Sequence, residues 1–335
     1  MLHIVNGDST AGILKQSDVK GECLSWRETL VEGPAPQGLS DEDWHTLRAG
    51  FLADAYELEL KECERELAAQ HEALLRFSDH EEVVLWFEHD LFCQINMVYL
   101  LSWFSRQPLS NTRLSLICIG EFPGIANFRG LGELTPDQLG GLFAGRREVT
   151  DSQLKLAAEV WQAYSSPDPR GIQSLLGRDT SALPFLSGAL EKHLARFPSV
   201  ANGLGLVENR AIELVSRGFT KFGQLFCEFG NLEPAYGLGD SQFWNGLKRM
   251  IQVREPLLEL RNLAEVDQAL KTNEFIHASF AITEKGEAVL ASADNFIASS
   301  GIDLWLGGVH LRDTDDLWQW DGRTRSLVYN KIPSV

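Results

Sequence analysis

Cysteine is scarce in the sequence and follows no metal-binding or disulfide pattern. The five cysteines among 335 residues are widely scattered and include no pair with the spacing Cys-x-x-Cys. Zinc knuckles need clustered thiols, and small secreted folds need many closely spaced cysteines, so both classes are excluded. We therefore expect reduced thiols in the cytosol.

Long apolar runs are also missing. No uncharged stretch approaches the roughly 18 to 20 residues that cross a bilayer, which argues against membrane insertion. The chain opens on residues 2–5 without a basic leader and a long apolar segment, so no secretory signal is indicated. Both absences predict a cytoplasmic protein with no membrane partner.

Basic residues are outnumbered by acidic ones. The sequence has 30 lysines and arginines against 47 aspartates and glutamates, which gives a net charge of -17. Such an excess favours solubility and opposes general affinity for polyphosphate chains and anionic membranes. The totals therefore argue against a nucleic-acid partner.

Three short apolar runs are present in the first third of the chain, at residues 2–5, 83–87 and 114–119. Helical patterns fill the sequence between them, with one long helix or two broken ones over residues 40–77 and a buried helix over residues 91–104. This alternation is typical of a parallel sheet covered by helices on both faces. It predicts an α/β fold with a Rossmann-like domain over residues 1–134.

The remaining chain has a different pattern. Residues 135–200 predict a helical connector without a second sheet. Residues 208–229 indicate two helices around a turn, and residues 280–290 indicate a strand that runs into a helix, as in winged-helix domains. Three short strands are predicted to follow, at residues 305–311, 317–320 and 326–329. Residues 201–335 are therefore predicted to form a winged-helix-like α+β part with a C-terminal β-meander.

Polar residues follow the predicted strands at their carboxyl ends. Ligands bind there in open parallel sheets, because loops leave the sheet and helix N-termini present free N–H groups. This rule predicts one polar rim, built from Asn6, Gly7, Asp8, Ser9, Glu88, His89, Asp90, Gln94 and Glu121. The alternative is that Asp8 and Ser9 cap the first helix while Asp90 caps the second. A small anionic ligand is the expected partner at the Ser9 end.

Three ionisable residues, Glu88, His89 and Asp90, stand between two apolar stretches. In a crevice they would lose solvation, and active sites use the perturbed ionisation that results. We predict that these three and Ser9 are catalytic candidates, with Glu88 or His89 moving a proton. Three consecutive side chains cannot point the same way, so at most two serve one site. Capping, salt bridging or a divalent ion such as magnesium, manganese or iron are alternatives, and the sequence assigns no metal or cofactor.

Two arginines and a distant histidine extend the predicted site. Arg27 or Arg48 could clamp a carboxylate or phosphate with a planar fork of donors, or could only neutralise the local acidic excess. His310 follows two glycines and could fold back toward the rim. All three are ligand-binding candidates.

The Gly-Asp-Ser triplet that ends at Ser9 is similar to the nucleophile turn of GDS-type serine hydrolases. Hydrolysis would also need a histidine base and a carboxylate that orients it. His310 with Asp303, or His89 with Asp90, are the available pairs. A serine hydrolase is therefore an alternative function.

The helix-turn-helix pattern raises a nucleic-acid function that its own residues argue against. Its second helix, residues 221–229, carries one lysine and one glutamate among large apolar side chains. Helices that read a DNA groove expose basic and amide side chains instead. The pattern therefore favours a second alternative function, a regulatory adaptor with a protein partner bound through residues 205–290.

Several runs of the sequence carry a resemblance to a known family. The most specific is Leu-Trp-Phe-Glu-His-Asp-Leu-Phe-Cys-Gln at residues 85–94, and the others lie at residues 3–9, 26–34, 48–49, 131–134, 158–169 and 305–311. Together they cover much of the chain and resemble the bacterial family named domain of unknown function 1835. The resemblance implies the domain layout given above and carries over no residue roles. The resemblance leaves the function open, and the rim residues themselves predict an enzyme or small-molecule-binding protein with its site at the rim.

Overall fold

The structure is a computed structural model and describes residues 1–262, 266, 268–312 and 316–331. The strands are β1 (Leu2–Asn6), β2 (Glu22–Trp26), β3 (Gly33–Pro34), β4 (Glu82–Glu88), β5 (Arg113–Ile119), β6 (Arg147–Glu148), β7 (Leu258–Arg261), β8 (Ser279–Ile282), β9 (Asp303–Gly307), β10 (Val309–Arg312), β11 (Asp316–Asp321) and β12 (Ser326–Lys331). The helices are α1 (Asp8–Gln16), α2 (Asp41–Ala55), α3 (Leu60–Leu75), α4 (Leu91–Phe104), α5 (Pro136–Leu142), α6 (Asp151–Tyr164), α7 (Arg170–Leu176), α8 (Leu186–Leu194), α9 (Leu206–Ser216), α10 (Phe222–Leu232), α11 (Asp240–Ile251), α12 (Ala269–Thr272), α13 (Glu284–Leu290) and α14 (Phe296–Ser300).

A mostly parallel sheet forms the first part of the chain, in the strand order β2-β1-β4-β5-β6. The first four strands are parallel, and β6 runs antiparallel to β5. Alternate side chains of β4 enter two separate cores, with Leu85 on one face and Trp86 on the other. The predicted α/β fold with a covered parallel sheet is therefore confirmed.

Helix α4 lies against one face of this sheet. It is apolar on every side, and nearly all of its residues are buried, which is expected of a helix between a sheet and other helices. Asp90 fixes its start, because its side chain accepts a hydrogen bond from the backbone N–H of Cys93 at 2.8 Å. The predicted capping role of Asp90 and the predicted buried helix are both confirmed.

The later part of the chain begins with helices α9, α10 and α11, and the antiparallel pair β7–β8 and helix α13 follow them. Gly218 joins α9 to α10 with a φ of 98°, a conformation that favours glycine. This arrangement agrees with the predicted winged-helix-like α+β part. The protein partner expected on residues 205–290 stays a prediction.

The C-terminal strands differ from the predicted meander. The stretch predicted as one strand at 305–311 is a hairpin of β9 and β10, and β9 also pairs in parallel with β3. The hairpin of β11 and β12 is a separate sheet. The domain boundaries at residues 134 and 200 stay a prediction. The pairing of β3 with β9 joins the first predicted part, residues 1–134, to the third, which begins at residue 201. Among the described residues, no helix is both long and apolar enough to cross a membrane.

Candidate functional site

Strands β1 and β4 are neighbours, so their carboxyl ends lie at one edge of the sheet. Asn6, the last residue of β1, is hydrogen-bonded there to helix α4, which follows β4. Its amide donates a hydrogen bond to the sulfur of Cys93 at 2.9 Å and accepts one from Asn96 at 2.9 Å. The polar turns after β1 and β4 therefore converge, as the sheet rule predicted.

Glu88, the last residue of β4, is at the centre of this edge. Its Oε2 accepts a hydrogen bond from the thiol of Cys93 at 2.5 Å, and its Oε1 accepts one from the backbone N–H of Leu131 at 2.8 Å. The carboxyl of Asp90 lies close by, so that Glu88, Asp90 and Cys93 can each offer one ligand atom within 4.8 Å of the others. We call these three residues the acidic cluster.

The acidic cluster is buried, and burial controls its ionisation. Burial and the neighbouring charge of Asp90 raise the pKa of Glu88 to about 7, against the opposing effect of its hydrogen bonds. Burial also raises the pKa of Asp90 and places the pKa of the Cys93 thiol well above its usual range. Near neutral pH the folded protein therefore keeps a proton on a large fraction of the Glu88 carboxyls, which a glutamate in water would release.

A short loop covers the cluster from outside. It contains the 3₁₀ turn Leu131–Glu133, whose first N–H binds Glu88. A Cβ at Gly130 would lie 3.0 Å from Glu88 Oε1, and a Cβ at Gly132 would lie 2.7 Å from Ser9 Oγ. The backbone of this covering loop, residues 130–133, therefore contacts both Ser9 and Glu88.

His89 makes different contacts from those of its two neighbours. It is half-buried, it packs edge-on against Phe185, and its Nδ1 is buried with no hydrogen-bond partner among the described residues. Glu88 and Asp90 thus share the buried cluster while His89 does not, in agreement with the expectation that at most two of the three serve one site. Glu121 lies exposed beyond Gly120.

Gln94 supports the cluster from within α4. Its Nε2 donates a hydrogen bond to the backbone oxygen of Glu88 at 2.6 Å, while its Oε1 is buried with no partner among the described residues. Gln94 therefore orients the end of β4 and leaves one buried acceptor unused.

Neither Asp8 nor Ser9 caps the exposed N-terminus of α1, although capping was the alternative role expected for both. Gly7 is the N-cap, with a φ of 83° and no side-chain cap. Asp8 instead pairs with Arg27 at 2.9 Å, and Arg27 also binds Glu66 at 2.5 Å. Arg27 lies near the predicted rim, but two carboxylates already bind its guanidinium.

Two predicted ligand-binding residues need correction. Arg48 is fully buried, pairs with Glu28 at 2.6 Å and donates to three backbone carbonyls, so it has no donor left for a ligand. His310 stacks on Trp305 and binds Asp303 at 2.6 Å on the β9–β10 hairpin, and not at the rim. Among the described residues no hydrogen bond joins Ser9 to a histidine, so the hydrolase alternative lacks an assembled triad.

Sequence reasoning missed three contributors to the site: Cys93, Leu131 and Gly237. Cys93 could have been found, because a buried helix places it one turn after its N-cap Asp90. Leu131 and Gly237 act through backbone atoms of distant segments, and a Cβ at Gly237 would lie 2.1 Å from Asp90 Oδ1. No pattern in the sequence indicates such contacts.

No protein-family model matches the chain, and no curated protein matches it. The resemblance to domain of unknown function 1835 therefore stays a prediction.

The donor set of the acidic cluster determines which metal would fit. A thiol with two carboxylates suits zinc or ferrous iron better than magnesium, which prefers oxygen ligands. The thiol of Cys93 donates a hydrogen bond to Glu88 and would have to lose its proton before binding a cation. The residue types permit a metal in the cluster only after this deprotonation.

Proposed function

We propose that this chain is an enzyme or small-molecule-binding protein whose site is the carboxyl edge of β1 and β4, with Glu88 as the group that takes up and releases a proton. The observation that carries the proposal is the acidic cluster, in which Glu88 and Asp90 are buried together and no lysine or arginine of the described residues pairs with either. Buried carboxyl groups without a counter-ion reduce stability, and perturbed groups of this kind gather at functional sites.

The position of the covering loop predicts the order in which a ligand would contact the residues of the site. Ser9 is exposed and His89 half-buried, whereas Glu88 lies beneath the backbone of residues 130–133. A ligand would meet Ser9 and the N-terminus of α1 first, where free N–H groups favour an anionic part. The ligand would reach Glu88 when the hydrogen bond from the backbone N–H of Leu131 to the Glu88 carboxyl is broken. Glu88 could then pass its proton to the ligand, with Cys93 as the neighbouring donor.

Replacing Glu88 by glutamine should change the pH dependence of stability. The folded protein keeps a proton on Glu88 that the unfolded chain releases, because the folded pKa is about 7 and the reference value is 4.5. The stability that Glu88 contributes is therefore fully present below pH 4.5 and is lost as the pH rises through about 7. Glu88→Gln should match the wild type near pH 4 and exceed its free energy of unfolding by on the order of 2 kcal/mol at pH 8, measured by urea denaturation.

The matched control is Glu72→Gln on the exposed face of α3. Its free energy of unfolding, plotted against pH, should run parallel to that of the wild type. An equal stability difference between Glu88→Gln and the wild type at pH 4 and pH 8 would show that Glu88 ionises normally, and the proposed proton transfer would have no basis.

Ligand binding itself can be tested with a library of small metabolites in a thermal-shift assay. We expect at least one anionic compound to raise the melting temperature of the wild type and of Glu72→Gln. Glu88→Gln, although stably folded, should lose most of that increase because it cannot exchange a proton with the ligand. A library without stabilising compounds, or one whose compounds act equally on Glu88→Gln, would contradict the proposed site.

A further inference from the structure

A cavity with a volume of about 780 Å³ lies away from the acidic cluster. Its walls are β3 with the end of α2 on one side, α11 on another, and α14 with β9 on a third. We call it the α11 cleft. Pockets of about 300–1,000 Å³ hold small organic molecules, so the cleft has the size of a ligand site.

Arg196 is the cation in this cleft without a carboxylate partner. It is half-buried, and its Nη1 donates to the backbone oxygen of Val31. Among the described residues no carboxylate lies within salt-bridge distance of its guanidinium, whereas the cleft residues Lys248 and Arg249 pair with Glu57 and Glu208. Most of the five N–H donors of Arg196 are therefore available to a ligand.

The carboxyl groups of the cleft are mostly engaged elsewhere. Glu208 binds Arg249 at 2.7 Å, Asp303 binds His310 at 2.6 Å, and Glu32 accepts a hydrogen bond from the hydroxyl of Tyr56 at 2.5 Å. Burial raises the pKa of Glu32, and the neighbouring charge of Arg196 opposes that rise. Arg196 is thus the cleft cation whose charge no ion pair among the described residues offsets, while Asp54 lies exposed at the edge of the cleft.

Gln242 supplies a second donor in the wall formed by α11. Its Oε1 accepts a hydrogen bond from the backbone N–H of Gly239 at 2.7 Å, which fixes the orientation of the amide. Its Nε2 is buried, makes no close hydrogen bond among the described residues and lies beside the hydroxyl of Tyr56. A buried donor without a close partner reduces stability, and an acceptor on a ligand would offset that cost.

Apolar side chains complete the walls, namely those of Phe51, Val207, Leu238, Phe296, Leu304 and Trp305. We propose that the α11 cleft binds a small organic anion, whose acidic group contacts Arg196 and Gln242 and whose apolar body lies between α11 and β9. This inference does not depend on the function proposed for the acidic cluster.

Two dyes that differ by one charged group test the proposal on the full chain. 8-Anilinonaphthalene-1-sulfonate is an aromatic sulfonate, and N-phenyl-1-naphthylamine is the same ring system without the sulfonate. We expect the sulfonate to bind the wild type at one saturable site, measured by fluorescence titration. Arg196→Gln should weaken that binding about tenfold, because a charge-assisted hydrogen bond is lost. It should leave N-phenyl-1-naphthylamine binding unchanged.

A steric variant tests the location independently of Arg196. Gly246 lines the cleft within α11, and a Cβ there would meet nothing closer than Val207 at 4.0 Å. Gly246→Ala should therefore bind both dyes normally, whereas Gly246→Phe should fill the cleft and abolish binding of both. Gly188→Phe is the matched control, because Gly188 lies in α8 with open space around it. Near-ultraviolet circular dichroism would show that each variant is folded.

Three results would overturn the proposal. The first is no saturable binding of the sulfonate to the wild type. The second is unchanged binding to both Arg196→Gln and Gly246→Phe, which would put the dye at another surface. The third is an equal loss of both dyes in Arg196→Gln, which would mean that Arg196 only supports the cleft through Val31. Arg196→Lys keeps the charge and a donor for Val31, so it should retain most of the sulfonate affinity.

Discussion

Replacing Arg48 by methionine should lower the free energy of unfolding by about 3–5 kcal/mol. Arg48 is fully buried, and its guanidinium binds the carboxyl of Glu28 and the backbone oxygens of Thr29, Glu32 and Pro34. Methionine fills a similar volume but leaves the Glu28 charge and three carbonyls without their donors. Urea denaturation at neutral pH would measure the loss.

The control is Arg65→Met, which removes an exposed arginine paired with Glu62 at 3.3 Å and should change stability by less than about 1 kcal/mol. In the double variant Glu28→Leu with Arg48→Met, the unpaired buried charge is gone, so part of the lost stability should return. A small effect of Arg48→Met alone would mean that the pair is open to water, and the role of Arg48 as a ligand clamp would again be possible.

Replacing Gly237 by alanine should disrupt the acidic cluster and lower the free energy of unfolding by roughly 3 kcal/mol. Its φ is 63°, which costs an alanine about 1–2 kcal/mol, and the new Cβ would lie 2.1 Å from Asp90 Oδ1. Asp90 cannot move freely, because its side chain caps α4 through Cys93. The displaced carboxyl would also shift the pKa of Glu88, which a stability curve against pH would detect.

Gly38→Ala separates the two contributions. Gly38 has a φ of 85° and nothing within 4 Å of a Cβ, so its alanine variant suffers only the backbone strain of about 1 kcal/mol. The extra loss in Gly237→Ala then measures the contact with Asp90. Equal losses in the two variants would indicate that Asp90 moves aside without cost, and that the segment around Gly237 does not hold the cluster in place.

The fold was largely predictable because its central elements are locally encoded. The apolar runs predicted strands β1, β4 and β5. The ionisable residues that end at Asp90, followed by a second apolar stretch, predicted helix α4. The missed strand β2 has the sequence Glu-Cys-Leu-Ser-Trp and is only partly buried, so no apolar run indicates it. Such an edge strand is specified by pairing with β1 rather than by its own composition.

The candidate site was predictable at its centre and not at its boundary. The rule for parallel sheets brought the turns after β1 and β4 together, and Asn6 and Glu88 lie there. The sequence did not reveal that residues 130–133 cover Glu88 or that Arg48 is enclosed by Glu28 and backbone carbonyls. Both facts depend on the packing of segments far apart in the chain, for which a single sequence contains no signal.

The pairing of β3 with β9 has a consequence for how the protein is made. Gly33 faces Leu306, so two strands that are far apart in the sequence pair with each other. During translation the N-terminal part leaves the ribosome first, and the edge of β3 and the floor of the α11 cleft then stay open until about 270 further residues have been added. The nascent chain therefore exposes an unpaired edge while these residues are added, which is a period in which chaperones would protect it.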